Sequence, residues 1–134
     1  MSTIKTSILL IDDDLIANFY NQRIIEKTQL TTKVITFEDA NKALRYLTQK
    51  NNEGEYPTPG VIFLDINMPE MNGWSFLEEY TQTKAAKNST PKVFILNSED
   101  SKENKERATR YKIVSKYICK PLDKNSVKEL LTTR

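Results

Sequence analysis

Five short apolar runs, each containing β-branched residues, recur along the chain with longer amphipathic stretches between them. This alternation is typical of βα units that form a mostly parallel sheet. The runs predict five strands, at Ile8 to Ile11, Val34 to Phe37, Val61 to Leu64, Val93 to Leu96 and Val114 to Cys119. The first run has no polar interruption, as expected for a strand that is covered on both faces.

The stretches between the runs carry apolar residues at helical spacing. In the first stretch Ile16, Phe19, Tyr20 and Ile24 have this spacing, and Asp14 is placed to cap the helix start. The same spacing predicts later helices around three further sets: Ala40, Ala43, Leu44 and Leu47; Trp74, Leu77 and Tyr80; Val127, Leu130 and Leu131.

One predicted helix and two loops stand out. The segment from Ser101 to Lys112 offers only Ala108 and Tyr111 for burial, so it predicts a weakly anchored fourth helix. Glycine and proline predict loops at Asn51 to Gly60 and at Asn67 to Gly73. Since crossovers between parallel strands are right-handed, we expect an α/β fold: a doubly wound five-stranded parallel sheet of flavodoxin-like order 2-1-3-4-5, with helices on both faces.

The length of 134 residues and the hydrophobic content of 38% suit one domain with one core. No composition shift marks an internal linker, so residues 1–134 are expected to form a single domain. The chain ends at Arg134, directly after the last predicted helix. We therefore expect no further domain after this helix.

Histidine is absent, which excludes Ser/His/Asp and Cys/His catalysis and histidine metal ligands. A single cysteine, Cys119, excludes an internal disulfide and favours a reducing, cytoplasmic location. The start of the chain lacks the apolar run of a signal peptide, and no run approaches the roughly 20 residues of a membrane span. With 20 basic and 18 acidic side chains scattered along the chain, we expect no direct nucleic-acid partner and no membrane insertion.

Acidic residues follow two of the predicted strands. The first strand runs into Asp12, Asp13 and Asp14, and the third ends at Asp65. Ligands of an open parallel sheet bind at the carboxyl ends of its strands, near the point where strand order reverses. Each acid by itself is explained equally well as a helix cap or a turn residue. Together, carboxylates that converge at one edge favour a bound cation, and oxygen ligands favour Mg²⁺.

The other strand ends add hydrogen-bonding and basic groups. Lys120 follows the fifth strand, where its ammonium group can pair with a carboxylate or hold a phosphoryl oxygen; an ordinary surface lysine is the alternative. Asn97 and Ser98 follow the fourth strand, either as polar site groups or as an ordinary loop start. This combination favours phosphoryl chemistry.

Four segments together resemble the receiver domain of two-component response regulators. They are ILLIDDD, VIFLDINMPEMNGW, VFILNSED and YICKPL, in the order of that family and across nearly the whole chain. The resemblance implies that Asp65 accepts a phosphoryl group from a partner histidine kinase or phosphotransfer protein. It also implies that Asp13, with Asp12 acting through water, binds Mg²⁺ together with Asp65 and the backbone carbonyl of Asn67. Lys120 would then bind a phosphoryl oxygen.

One position departs from the family pattern. The family has Thr or Ser at the end of strand four, where this sequence has Asn97 followed by Ser98. An amide can donate a hydrogen bond to phosphate, but its volume and reach differ from those of a hydroxyl. Tyr117 matches the family's switch aromatic, although a core tyrosine fits the sequence equally well. We expect phosphorylation to be retained and its coupling to a conformational switch to be altered.

The resemblance implies a stand-alone response regulator without an output domain. It would be a signalling phosphoacceptor that assists its own phosphorylation and dephosphorylation, and not an enzyme with an external substrate. Its output would pass to an unknown protein target or along a phosphorelay. Two alternatives remain at this point. One is a docking module that works without phosphorylation, which Asn97 favours. The other is a phosphatase of the haloacid dehalogenase type, in which Asp12 and Asp14 would form the D-x-D pair.

Overall fold

Five parallel strands form a single sheet in the computed structural model, which describes residues 7–31 and 33–132. The strands are β1 (Ser7–Ile11), β2 (Lys33–Phe37), β3 (Val61–Asp65), β4 (Lys92–Asn97) and β5 (Val114–Cys119). Their spatial order is β2-β1-β3-β4-β5, and every neighbouring pair is parallel. The predicted fold class and strand order are confirmed.

The described residues form six helices, of which the first five lie between strands and the last follows β5. They are α1 (Leu15–Lys27), α2 (Ala40–Thr48), α3 (Gly73–Thr81), α4 (Lys84–Asn88), α5 (Lys102–Ala108) and α6 (Lys124–Thr132). The short helix α4 was not predicted. It begins where the Thr83 hydroxyl accepts a hydrogen bond from the Ala86 N–H at 3.2 Å, and it buries only Ala85 and Ala86.

Two apolar clusters cover the faces of the sheet. Alternate residues of β1 enter opposite clusters, because successive side chains of a strand point to opposite faces. Leu9 and Ile11 pack with residues of α2 and α3, whereas Ile8 and Leu10 pack with residues of α1 and α6. All five residues of β3 are buried. The carboxyl end of β3 is therefore held rigidly in the middle of the sheet.

The structure corrects the expectation that the apolar residues of α1 face the sheet. The helix forms and Asp14 caps it, but Ile16, Phe19 and Tyr20 are 80%, 63% and 44% exposed. Ile24 is partly buried, and the fully buried positions of the helix are Asn18, Asn21 and Ile25. The reason is a hydrogen-bond demand: the Asn18 amide donates to the Asp12 carbonyl at 2.8 Å, which turns this polar residue toward the sheet.

The weakly anchored helix is confirmed as α5. Of its residues only Ala108 is buried, and the following Tyr111 is half-buried and stacks on Trp74 with ring centroids 5.5 Å apart. None of the described helices has both the length and the apolar character needed to cross a membrane. The expectation about a signal peptide falls partly on residues 1–6, which lie outside the described residues.

Candidate functional site

Three carboxylates meet at the carboxyl edge of the sheet. Asp12 and Asp13 follow β1, and Asp65 is the last residue of β3. One carboxylate oxygen from each lies within 4.8 Å of the others. Asp12 and Asp65 are 3% and 5% exposed, whereas Asp13 is exposed to solvent. The predicted convergence of these acids is present, and we call the three residues together with Lys120 the acidic cluster.

Lys120 supplies the positive charge of the acidic cluster. Its Nζ lies 2.5 Å from Oδ2 of Asp12 and 3.9 Å from Oδ1 of Asp65. The backbone positions it, because the Lys120 N–H donates to the Asn97 carbonyl at 2.8 Å. The alternative of an ordinary surface lysine does not fit this pairing. One ammonium group is shared between two buried carboxylates.

Asp65 has the most perturbed acidity in the site. Its pKa is raised to about 6, first by burial and second by the neighbouring Asp12 charge, against the lowering effect of the Lys120 charge. The Asn67 N–H, 3.4 Å from Oδ1, also lowers the pKa, and Asp13 raises it. Carboxylates this close favour a bound cation, since a positive charge relieves their repulsion. The oxygen donors match the preference of a hard divalent cation such as Mg²⁺.

Asp14 takes no part in the acidic cluster. Its Oδ1 accepts hydrogen bonds from the Ile16 and Ala17 N–H groups at 3.0 and 3.2 Å, so it caps α1 as predicted. Its own N–H donates to Asp12 Oδ1 at 2.9 Å. A D-x-D pair would need both side chains directed at one substrate. The capping role of Asp14 therefore argues against the phosphatase alternative.

Asn97 is the last residue of β4, at the carboxyl edge of the sheet, and is 1% exposed. Its Oδ1 accepts from Asn67 Nδ2 at 3.0 Å, and its Nδ2 donates to the Tyr117 hydroxyl at 2.8 Å. The exposed Ser98 contributes its N–H, which donates to the same Oδ1 at 2.9 Å. The alternative of an ordinary loop start does not describe Asn97, because its amide joins three segments.

Two supporting residues escaped the sequence analysis. Asn18 is buried in α1, and its amide holds the Asp12 carbonyl; the available signal was a polar residue between apolar helix positions. At Gly73 an added Cβ would lie 2.8 Å from the carbonyl oxygen of Asp65 and from Cα of Ile66. Only a residue without Cβ lets α3 start this close to the end of β3.

The model of the response regulator receiver domain matches residues 8–132 of the chain. The chain belongs to the receiver domain family. This match confirms the resemblance of the four sequence segments to the receiver domain of two-component response regulators.

Individual relatives agree with this membership. Response regulator Rcp1 of Synechocystis sp. is 28% identical over 75 residues, which cover 56% of this chain. The match spans 51% of that protein, about half its length. The crystal structure of a two-component response regulator from Cytophaga hutchinsonii is 32% identical, with a TM-score of 0.82 and 94% of each chain covered. A receiver protein from Dyadobacter fermentans is 27% identical with a TM-score of 0.78, covering 93% of this chain and 94% of that one.

Proposed function

We propose that this receiver domain accepts a phosphoryl group on Asp65 from the phosphohistidine of a kinase or phosphotransfer protein. The observation that carries the proposal is the acidic cluster, in which the buried Asp65 lies beside two further aspartates and within 3.9 Å of the Lys120 ammonium group. Asp65 is held at the end of a fully buried strand. A nucleophile fixed in this way needs positioning and electrostatic help more than a strong base.

The donor set fits Mg²⁺. Asp12, Asp13 and Asp65 offer oxygen ligands within 4.8 Å of one another. Burial first, and then the charge of Asp12, raises the pKa of Asp65. Asp13 and Asp65 would bind the ion directly, Asp12 through water, and the Asn67 carbonyl would complete the protein ligands. When bound, Mg²⁺ supplies positive charge that neutralises phosphate oxygens and keeps Asp65 ionised.

The transfer itself exchanges one bond for another. A carboxylate oxygen of Asp65 forms a new O–P bond, and the P–N bond of the donor phosphohistidine breaks. The imidazole nitrogen leaves with the electron pair and takes up a proton. Lys120, already 3.9 Å from Asp65 Oδ1, would bind an oxygen of the transferred group. The same groups would orient water for the later hydrolysis of the acyl phosphate, so the domain assists both reactions.

A protein donor is supported by the surface next to the site. Helix α1 begins directly after Asp14, and its first turns expose four large apolar side chains: Leu15 (65%), Ile16 (80%), Phe19 (63%) and Tyr20 (44%). Exposed apolar side chains grouped in this way mark protein interaction surfaces. Output would in turn pass by contact of this cytoplasmic receiver domain with another protein.

Labelling with acetyl phosphate and Mg²⁺, read by intact mass, tests the proposal. We expect wild type to gain one phosphoryl group and Asp65→Asn to gain none. Asp14→Asn is the matched control, because asparagine caps a helix as well as aspartate does. It should be labelled like wild type. Full labelling of Asp65→Asn would contradict the assignment, and turnover of small phosphate esters that is lost in Asp14→Asn would favour the phosphatase alternative.

A further inference from the structure

The amide of Asn97 makes hydrogen bonds in two directions from one buried position. Oδ1 accepts from Asn67, in the loop after β3, and from the N–H of Ser98. Nδ2 donates to the hydroxyl of Tyr117, a residue of β5. Asn97 thereby connects three of the segments that form the carboxyl edge of the sheet.

The chemistry of the donors sets the direction of these bonds. A backbone N–H can only donate, so the Asn97 atom that faces Ser98 must be the carbonyl oxygen. The atom that faces Tyr117 is then the NH₂ group, and the tyrosine oxygen must accept from it. The tyrosine proton remains available, and it is donated to the Glu99 carbonyl at 2.9 Å. Asn67, Asn97, Tyr117 and the Glu99 carbonyl form one directed chain of hydrogen bonds, which we call the amide relay.

The amide relay closes the loop after β4 onto β5. The ring of Tyr117 packs against the apolar cluster that includes Ile95 and Ala108, while its hydroxyl holds Glu99. The loop from residue 98 to 101 is therefore tied to the strand on one side. On the other it leads into α5, where the Ser101 hydroxyl accepts from the Asn104 N–H at 3.1 Å. Each bond of the relay joins two protein groups, so none needs a phosphoryl group.

A hydroxyl residue at position 97 could not make the same contacts. The oxygen of Ser or Thr lies one bond beyond Cβ, whereas the amide nitrogen and oxygen of Asn lie two bonds beyond it. The amide offers two N–H donors and a carbonyl acceptor on separate atoms, and a hydroxyl offers a single proton. The shorter side chain would leave the Tyr117 hydroxyl beyond hydrogen-bond distance of position 97.

We propose that Asn97 is a positioning residue that holds Tyr117 and the loop after β4 in their inward arrangement before any phosphoryl group is added. The surface formed by α5 and β5 is thus already set in the unphosphorylated protein, and phosphorylation changes it little. This inference rests on the proposed function, because it concerns the effect of a phosphoryl group on Asp65. The Asn97 hydrogen bonds give the surface its arrangement without that group. Asn97 acts through Tyr117 and takes no part in the transfer.

Hydrogen exchange without any phosphoryl group tests the amide relay. Tyr117→Phe keeps the ring and removes the bonds to Asn97 and to Glu99. We expect the amides of residues 98–101 to exchange roughly tenfold faster in this variant, as loss of one or two hydrogen bonds implies. Tyr111→Phe is the matched control, since it removes the hydroxyl bond to Glu78 outside the relay. Equal exchange in Tyr117→Phe and in wild type would overturn the proposal.

Hydrogen exchange with beryllofluoride and Mg²⁺ tests the consequence for signalling. Wild type should show less than about a twofold change over residues 98–112, because the bonds that hold the loop are already formed. Asn97→Thr should exchange faster when unmodified and should gain roughly tenfold protection on binding, the effect of one hydrogen bond to a charged group. Protection of wild type that increases as much as that of Asn97→Thr would overturn the proposal.

The two proposals fail in different ways. Fluorine NMR reports whether beryllofluoride is bound in each sample, and intact mass after acetyl phosphate reports whether Asp65 is labelled. Absence of both signals would contradict the proposed function. The comparison of Tyr117→Phe with Tyr111→Phe uses no phosphoryl group, so it decides whether the amide relay holds the loop in either case.

Discussion

The acidic cluster and the amide relay lie side by side at one edge of the sheet and solve opposite electrostatic problems. In the acidic cluster two buried carboxylates share one ammonium group, and the pKa of Asp65 is raised to about 6. In the amide relay every hydrogen bond joins a neutral donor to a neutral acceptor. Unrelieved charge costs folding free energy but attracts cations and phosphate, whereas matched amides hold geometry without such a cost. The acidic cluster therefore provides reactivity, and the amide relay holds the position of Tyr117 and of the loop after β4.

Removal of the ammonium group should give the largest effect on reactivity. Lys120→Met should slow labelling of Asp65 by acetyl phosphate about a hundredfold, the scale for loss of one group aimed at developing charge. Lys116→Met is the matched control, because Lys116 is an exposed lysine in β5, the strand that Lys120 follows. Time courses of intact mass measure both rates. Equal rates in the two variants would mean that Lys120 contributes to the stability of the fold and not to the phosphorylation of Asp65.

Loss of a carboxylate should weaken the binding of Mg²⁺. Asp13→Ala should reduce the affinity by roughly tenfold or more, because a charged oxygen ligand is lost. Asp14→Ser should leave it nearly unchanged, since serine also caps α1 and Asp14 lies outside the acidic cluster. The fluorescence of Trp74, which is buried in α3 just after the loop that follows β3, reports the titration. Similar losses in both variants would contradict the ordering of the two aspartates.

The charge of Asp65 should cost stability at neutral pH when Mg²⁺ is absent. Its pKa is about 6 in the fold against 3.8 as the ordinary value, so between these values the folded state binds more protons than the unfolded state. Stability from this group therefore decreases as pH rises through that range. Asp65→Asn should be more stable than wild type by about 1 to 3 kcal/mol near pH 7.5, and the difference should vanish below about pH 4.

Urea denaturation at several pH values measures this difference. Asp100→Asn is the control, because Asp100 is 71% exposed and pairs only with Lys105 among the ion pairs of the described residues. It should change stability little at any pH, as is usual for exposed ion pairs. If wild type and Asp65→Asn have the same free energy of unfolding at neutral pH, the acidic cluster does not destabilise the fold. The contrast with the amide relay would then be wrong.

The smallest effect on reactivity is expected in the amide relay. Asn97→Thr should leave the labelling rate of Asp65 within about threefold of wild type, because the residues of the acidic cluster remain in place. The same time courses by intact mass measure it. A loss as large as that of Lys120→Met would show that Asn97 supports the transfer directly, and the division of labour between the two groups would be wrong.

The fold and the meeting of the acids were predictable from sequence for simple geometric reasons. An unbroken apolar run such as Val61 to Leu64 has one stable location, inside a sheet covered on both faces. Parallel strands also end at the same edge, so Asp12 and Asp65 had to converge. The roles of these residues in phosphorylation stay a prediction that the labelling experiments address.

Other features were beyond the reach of local patterns. The outward face of α1 depends on the Asn18 amide finding the Asp12 carbonyl, a tertiary contact that outweighs apolar spacing. Helix α4 buries only two alanines, which give a weak apolar signal. The contact of Lys120 with Asp12 joins residues 108 positions apart. The direction of the bonds at Asn97 depends on Ser98, whose backbone N–H carries no signature in the sequence.

The bond from Tyr117 to the Glu99 carbonyl has a consequence for how this protein could diversify. The Tyr117 hydroxyl binds the main-chain carbonyl of residue 99, so this hydrogen bond does not depend on the side chain at that position, which is exposed. Its charge can be reversed, removed or made aromatic while the loop keeps its path. Substitutions at position 99 can therefore change the surface that a partner protein contacts, while the hydrogen bonds that hold the loop are kept.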